Sequence, residues 1–117
     1  MAGAAEQAGE FINVSDAEAL ENIFRLSHDQ AIVLFKHSTT CPISAAAYRE
    51  MSQLAVGNVA LLVVQRAREL SREVERRTGV RHESPQAIVL RNGQPVWTAS
   101  HFAVTSDAVE RALRDNE

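Results

Sequence analysis

The chain carries the stretch Phe35-Lys-His-Ser-Thr-Thr-Cys41-Pro-Ile-Ser44 between two segments of different character. The segment before it, Ala31-Ile-Val-Leu-Phe35, is a short apolar run of the kind that forms a buried strand. The segment after it, Ala45-Ala-Ala-Tyr-Arg-Glu-Met51, has a helical pattern. Pro42 suits the first helical position, where a missing N–H costs nothing. The single cysteine of the chain is therefore predicted to lie where a strand passes into a helix.

This position has consequences for the chemistry of the thiol. At the N-terminus of a helix, unpaired N–H groups and the positive end of the helix dipole both favour a negative charge. We therefore expect the pKa of Cys41 to lie below the free value of about 8.5. The thiolate is the form that attacks disulfides. The alternative is a buried structural thiol, which is common for free cysteine. The polar neighbours Ser38, Thr39 and Thr40 favour the reactive interpretation.

Length and composition narrow the class of protein. The 117 residues suit one domain, and an apolar share of 45% is enough for a packed core. The net charge of −3 gives no reason to expect a nucleic-acid partner, because nucleic-acid binders usually have a basic face. No apolar run approaches the roughly eighteen residues of a membrane span. We therefore expect neither nucleic acid nor a membrane as a partner.

The ends of the chain and its cysteine content suggest a location. Residues 1–10 have neither a basic start nor a long apolar segment, so we interpret them as a flexible tail and residues 11–117 as the domain. One cysteine cannot form an intrachain disulfide or a cysteine-based zinc site. His28 has no partner that suggests a metal, and we predict no metal site. The expected compartment is a reducing cytoplasm.

The remaining pattern predicts the element order β-α-β-α-β-α-β-β-α. Ser15 and Glu18 have the spacing of a capping box, so Ser15 is the expected cap of the first helix. Its inner face is expected to carry Ala17, Leu20, Ile23 and Phe24. Stops and turns are expected at Gly57-Asn58, Gly79 and Asn92-Gly93, and a last helix is expected to begin near Thr105. Strands separated by helices are expected to be parallel, with an antiparallel hairpin at the end.

The element order, the cysteine at the strand–helix join and the proline before the late hairpin resemble the thioredoxin fold. The segment Thr40-Cys-Pro-Ile-Ser44 resembles the site of the monothiol bacilliredoxin-like family, the thioredoxin-like proteins of the bacillithiol system. Two further blocks resemble that family in the same order: Thr78-Gly-Val-Arg-His-Glu-Ser-Pro-Gln86 and Trp97-Thr-Ala-Ser-His101. The likeness runs from about Asn13 to Leu113. Phe102 departs from it, because a tryptophan is expected there in family members.

The resemblance implies an α/β, thioredoxin-like fold with a central mixed sheet and helices on both faces. It implies a thiol–disulfide oxidoreductase that removes bacillithiol from mixed disulfides on client proteins through a mixed disulfide on Cys41. Bacillithiol would be a thiol co-substrate, with no permanently bound cofactor. The partners would be S-bacillithiolated clients and a low-molecular-weight thiol.

The resemblance also implies roles around Cys41, with Thr40 and Pro42 as its immediate neighbours in the motif. Ser44 occupies the place of the second cysteine of dithiol thioredoxins, and its hydroxyl could donate to the Cys41 thiolate. Without a resolving thiol, the mixed disulfide must be cleared by an outside thiol. Pro85 is expected to be a cis proline facing Cys41, although cis bonds are only about 5–6% of X–Pro bonds. The backbone of Ser84 is expected to pair with the bound peptide or thiol.

Four further residues are candidates for recognition of the thiol co-substrate. Lys36 and His37 precede the site, and a cation there would lower the pKa of Cys41. Taken singly, each is more simply interpreted as a solvated residue at a strand end. Arg81 and His82 are either an exposed loop pair or a recognition site for the carboxylates of bacillithiol, which Arg would bind through a bidentate pair.

Three alternatives to the leading function stay open on the sequence alone. The same site could act on another low-molecular-weight thiol such as glutathione. The chain could be a thioredoxin-fold binding module without turnover that uses the loop leading into Pro85 as a docking surface. An iron–sulfur carrier bridging two subunits through Cys41 is the third, and nothing in the sequence specifically supports it.

Overall fold

The computed structural model describes residues 11–54 and 58–117 of the chain. The predicted tail at residues 1–10 and the predicted stop at Gly57 lie outside these residues. The element order matches the prediction. The strands are β1 (Phe11–Asn13), β2 (Ile32–His37), β3 (Val59–Val63), β4 (Gln86–Arg91) and β5 (Gln94–Ser100), and the helices are α1 (Ala17–Leu26), α2 (Pro42–Ser52), α3 (Arg68–Thr78) and α4 (Ser106–Asp115). Short 3-10 turns follow β3 at Val64–Arg66 and β5 at His101–Ala103.

The five strands form one mixed sheet in the order β1-β3-β2-β4-β5. β3 is parallel to both β1 and β2, and His37 at the end of β2 lies opposite Val63 at the end of β3. β4 is antiparallel to β2 and pairs Gln86 with Lys36. The carboxyl ends of β2 and β3 and the start of β4 therefore meet at one edge of the sheet. Cys41 follows β2 by four residues at this edge.

The direction of β4 corrects one expectation. Strands separated by a helix were expected to be parallel, but β4 runs antiparallel to β2. The seven residues between α3 and β4 explain the difference. α3 has 11 residues and rises about 16 Å, and seven extended residues can span roughly 23 Å. The connection after α3 is thus long enough to return the chain to the edge at which β3 ended.

The core lies in two layers, one on each face of the sheet. All six residues of β2 are buried, and its alternate side chains enter opposite layers. One layer packs α2 and α4 around Val33 and Phe35. The other packs α1 and α3 around Ile32 and Leu34. The central strand is therefore covered on both faces, as its unbroken apolar run predicts.

The helix and turn signals are mostly confirmed. Thr105 caps α4 by accepting a hydrogen bond from the Ala108 N–H at 3.2 Å, and Gly79 ends α3 in the left-handed conformation with φ 74°. Asn92 and Gly93 both have positive φ, as the hairpin between β4 and β5 requires. No helix among the described residues is long and apolar enough to span a membrane.

The start of α1 differs from the prediction. Its cap is Asp16, whose carboxylate accepts from the Ala19 N–H at 2.8 Å, and the predicted cap Ser15 is wrong by one residue. Both residues are good caps, but the carboxylate also interacts favourably with the helix dipole. The helix starts one residue later as a result. Ala17 is exposed, while Leu20, Ile23 and Phe24 form the buried face.

Candidate active site

Cys41 lies where the sequence places it, at the N-cap of α2. Its backbone is extended, with φ −106° and ψ 124°, and Pro42 is the first helical residue. The Cys41 carbonyl accepts the first hydrogen bond of the helix, from the Ala45 N–H at 3.0 Å. The side chain is partly exposed. The sulfur is therefore accessible and stands at the amide end of the helix.

The surroundings of the sulfur lower the pKa of Cys41 below its ordinary value. The largest cause is the backbone N–H of Ser44, and the Ile43 N–H and the Ser44 hydroxyl act in the same direction. Partial desolvation opposes them. Hydrogen bonds to the charged form favour that form. The expected drop in the thiol pKa is thus present, and backbone amides are its main source.

Ser44 is fully buried in the first turn of α2, one helical turn after Cys41. Its hydroxyl oxygen accepts a hydrogen bond from the Ser38 N–H at 3.3 Å. A hydroxyl that accepts one hydrogen bond still has its proton to donate, and the Ser44 hydroxyl is among the groups that lower the pKa of Cys41. The residue at the place of a second thiol supports the first sulfur but cannot form a disulfide with it.

The loop before Cys41 is held by Gln65, a residue that the sequence interpretation missed. Gln65 lies in the 3-10 turn after β3 and hydrogen-bonds to Ser38, Thr39 and Thr40. A signal existed: Gln65 is the first polar residue after the apolar run that begins at Val59. Parallel neighbouring strands end at the same edge, so the residue after β3 could have been placed beside the loop after β2.

The loop that leads into β4 also lies at this edge, and we call Arg81–Pro85 the proline loop. The Ser84–Pro85 peptide bond is cis, as the resemblance implied. The Pro85 carbonyl accepts from the His101 N–H at 2.9 Å, and His101 Nδ1 lies 3.4 Å from a carboxylate oxygen of Glu83. The proline loop is thereby joined to the turn after β5. The buried Ser84 hydroxyl has no hydrogen-bond partner within the described residues.

Lys36 is not solvated, and the simple interpretation of it as a polar strand end is wrong. Its side chain is 0% exposed and enters the layer of α3. Its Nζ lies 3.4 Å from the Ser71 carbonyl oxygen and 3.2 Å from His82 Nδ1. Burial lowers the pKa of Lys36 from 10.5 to about 8, partly offset by the charge of Glu75. Because the ammonium group has no exposed surface, it cannot reach a ligand in this arrangement.

His37 is also buried, on the opposite face of the sheet from Lys36. Its ring centroid lies 4.9 Å from that of Tyr48 and 5.7 Å from that of Phe35. Burial lowers the pKa of His37, and only the nearby Ser44 backbone opposes the shift. The imidazole is therefore neutral at pH 7. Neither Lys36 nor His37 is among the causes of the shifted pKa of Cys41.

The two recognition candidates of the proline loop differ in their surroundings. His82 Nδ1 faces both Lys36 and the Ser71 hydroxyl, the latter at 3.0 Å. Burial, followed by the charge of Lys36, lowers the pKa of His82. The Arg81 carbonyl accepts from Gln86 Nε2 at 2.8 Å, while the residue itself is exposed. Both residues are exposed, but the His82 ring is engaged by Lys36 and Ser71, whereas the Arg81 side chain has no hydrogen bond to the described residues.

A groove of about 260 Å³ begins at Ile43, two residues beyond Cys41. It runs between α2 and the turn after β5, where Phe102 is 75% exposed. Phe102 is thus an exposed apolar side chain at the rim of this groove. Among the described residues, no group of three or more His, Cys, Asp or Glu side chains could hold a metal ion.

Comparison with protein families gives a match over most of the chain. The family model described as "Monothiol bacilliredoxin BrxC" matches residues 12–109. This range includes Cys41, Gln65 and the proline loop.

Solved structures give the same fold. A protein described by its thioredoxin fold is 33% identical, with a TM-score of 0.81, over 89% of this chain and 94% of its own. Thioredoxin from Fasciola hepatica is 14% identical, with a TM-score of 0.74, over 92% of this chain and 100% of its own. Thioredoxin from Trypanosoma brucei brucei is 18% identical, with a TM-score of 0.73, over 92% and 91%. The last two likenesses establish the thioredoxin fold alone.

Proposed function

Because the chain belongs to the monothiol bacilliredoxin family, we propose that it removes bacillithiol from mixed disulfides on client proteins, with Cys41 as the only nucleophile. A thiol redox role follows from the family and the fold. The observation that carries the proposal is the partly exposed Cys41 sulfur at the start of α2, with donors from Ser44 and Ile43 that favour the thiolate. The chain contains no second cysteine that could resolve a mixed disulfide.

The proposed reaction is two thiol–disulfide exchanges. The Cys41 thiolate attacks the bacillithiol sulfur of the client, a new S–S bond forms to Cys41, and the bond between client and bacillithiol breaks. The client leaves as a thiolate and takes a proton from water. A second bacillithiol thiolate then attacks the mixed disulfide, which yields bacillithiol disulfide and regenerates the Cys41 thiolate. Each step breaks one disulfide bond and forms another, so no oxidant or reductant other than bacillithiol is needed.

The protein lowers the barrier to both exchanges by stabilising the negative charge on the Cys41 sulfur. The amides of Ile43 and Ser44 stabilise the Cys41 thiolate before attack, and they stabilise it again as the leaving group of the second exchange. A thiol whose pKa lies near the working pH attacks and leaves well. The bacillithiol carboxylates would meet Arg81, and the Ser84 backbone would align the disulfide. A reducing cytoplasm fits a site that works with one free thiol.

The test is intact-mass spectrometry of the reduced protein after mixing with a bacillithiolated client. We expect the client to lose bacillithiol while Cys41 gains it, in equal amounts. Cys41→Ser is the matched control and should show neither change. A parallel arm with the glutathione mixed disulfide of the same client tests which low-molecular-weight thiol is preferred.

A client that stays modified, without an adduct on Cys41, would contradict the proposal. Slow alkylation of Cys41 at neutral pH in the same preparation would then favour a binding module without turnover. Rapid alkylation without transfer would instead leave a reactive thiol with a different substrate.

A further inference from the structure

We infer that Gln65 is a positioning residue of the active site, which holds the Ser38–Thr40 loop so that Ser44 and the helix amides face the Cys41 sulfur. This inference deepens the proposed function and takes its biological meaning from it. It assigns a role to a side chain on a different strand end, 24 residues beyond the cysteine in the sequence.

The Gln65 amide group makes three hydrogen bonds to three consecutive residues. Its Oε1 accepts from the Thr39 N–H at 3.2 Å. Its Nε2 donates to the Ser38 hydroxyl at 2.8 Å and to the Thr40 hydroxyl at 3.3 Å. An amide has one acceptor group and two N–H donors, so this arrangement uses both ends of the side chain. Among the described residues, no other side chain forms hydrogen bonds with all three loop residues.

The held loop is connected to the sulfur by one further hydrogen bond. The Ser38 N–H donates to the Ser44 hydroxyl oxygen at 3.3 Å, and the Cys41 N–H lies 3.5 Å from the Ser38 carbonyl oxygen. The Ser38 N–H thus occupies one lone pair of the Ser44 oxygen. The Ser44 proton is left for the Cys41 sulfur, which agrees with the part that this hydroxyl has in lowering the pKa of Cys41. Gln65 acts on Cys41 through these hydrogen bonds, since its own three bonds go to the loop and not to the sulfur.

The turn that carries Gln65 is fixed in place by the sheet and by packing against the core. Its preceding strand is in register with β2, with Val63 opposite His37. Val64 and Ala67 on either side pack against the core layer of α1 and α3, and the Ala67 N–H donates to the Val64 carbonyl at 3.3 Å. Gln65 is half-buried between them. The side chain is therefore ordered before any substrate binds, which lowers the cost of holding the loop.

The test is the pH profile of Cys41 alkylation by iodoacetamide in wild type and in Gln65→Met. Methionine keeps the length and most of the volume but makes none of the three hydrogen bonds. We expect the profile of the variant to move to higher pH, with a rate at pH 7 lower by about three- to tenfold, the range of one lost hydrogen bond. Gln53→Met, an exposed glutamine at the end of α2, is the matched control and should follow wild type.

A Gln65→Met profile that superimposes on that of wild type would overturn the inference. Should the variant fail to fold, amide hydrogen exchange of the wild-type protein decides: Thr39 is expected to exchange more slowly than Thr40, and equal rates would contradict the hydrogen bond to Gln65. Alkylation by iodoacetamide does not involve bacillithiol, so its pH profile does not depend on whether bacillithiol is the substrate. A shifted profile without bacillithiol transfer would refute the proposed function and leave this inference intact.

Discussion

Because Lys36 is buried, we expect the free energy of unfolding to rise with pH in the alkaline range. Lys36 is the only lysine of the chain, and it is fully buried. Its pKa is 10.5 in the unfolded chain and about 8 in the folded protein. Between these values the unfolded chain binds more protons than the folded one, so the free energy of unfolding rises with pH. Below pH 8 the lysine is charged in both states, so burial of the ammonium group lowers the free energy of unfolding by the full amount.

The size of the effect follows from the two pKa values. A difference of 2.5 units corresponds to about 3 kcal/mol in total, at roughly 1.4 kcal/mol for each unit. About 2 kcal/mol of this should be regained between about pH 7 and pH 9.5. The rest is regained only at higher pH, because most of the unfolded lysine is still protonated at about pH 9.5. Such a gain is a large fraction of the 5–15 kcal/mol that is typical of a domain.

Urea unfolding followed by the fluorescence of Trp97, the only tryptophan, measures this quantity. The control is Lys36→Met, which keeps the volume but cannot titrate. The difference between the two proteins should grow by about 2 kcal/mol in favour of wild type over the same pH range. The lowered thiol pKa of Cys41 also raises stability with pH, but it is common to both proteins and cancels. Parallel curves for wild type and variant would refute the reasoning.

A direct titration guards against failure of the variant to fold. With ¹³C-labelled lysine, the folded protein should give a single ε-carbon resonance. Its midpoint should lie near pH 8, where Lys36 titrates in the folded state. A midpoint near the value of a free lysine would mean that the ammonium group is stabilised in place, in spite of its burial.

Three further predictions concern the site and the first helix. Ser44→Ala removes one of the donors to the Cys41 sulfur but leaves the larger amide contributions, so the pH profile of alkylation should move modestly upward. Ser44→Cys should replace the bacillithiol adduct that we expect in the wild type with an internal disulfide; an adduct that persists in Ser44→Cys would show that position 44 cannot reach the sulfur. Phe102→Ser should slow bacillithiol transfer from protein clients but not from a small mixed disulfide, because only a larger partner can cover the exposed ring; equal slowing of both would place Phe102 in the binding of the small thiol. Asp16→Ala should cost about 1 kcal/mol in urea unfolding and Ser15→Ala less than about 0.5, since Asp16 is the cap that accepts from the Ala19 N–H; the reverse order would restore Ser15 as the cap.

The parts of the fold that could be predicted from the sequence are those set by local chemistry. The apolar run at β2, the left-handed glycine at position 79 and the turn at Asn92-Gly93 each follow from the residues that form them. The position of Cys41 at a helix start and the direction of its pKa shift follow in the same way, because Pro42 and the first-turn amides lie next to it in the chain.

The remaining features depend on contacts between distant segments. Lys36 looks like a solvated strand end until Ser71 and His82, 35 and 46 residues away, enclose it. Gln65 has no local signal of its role, since its three partners lie on another strand end. The direction of β4 is set by the long return after α3 and not by the alternation of strands and helices. Each of these required the register of the sheet, which the pattern of one chain does not specify.

Lys36 and His37 are neighbours in the sequence, but the pleat of β2 sends one side chain into each layer of the core. β3 and β4 hold the backbone of β2 on both sides, so a substitution in one layer should leave the packing of the other layer unchanged. Substitutions at these two positions should therefore have additive effects on folding free energy, although adjacent residues usually couple. A single dipeptide thus provides two independent reporters, one for each half of the protein interior.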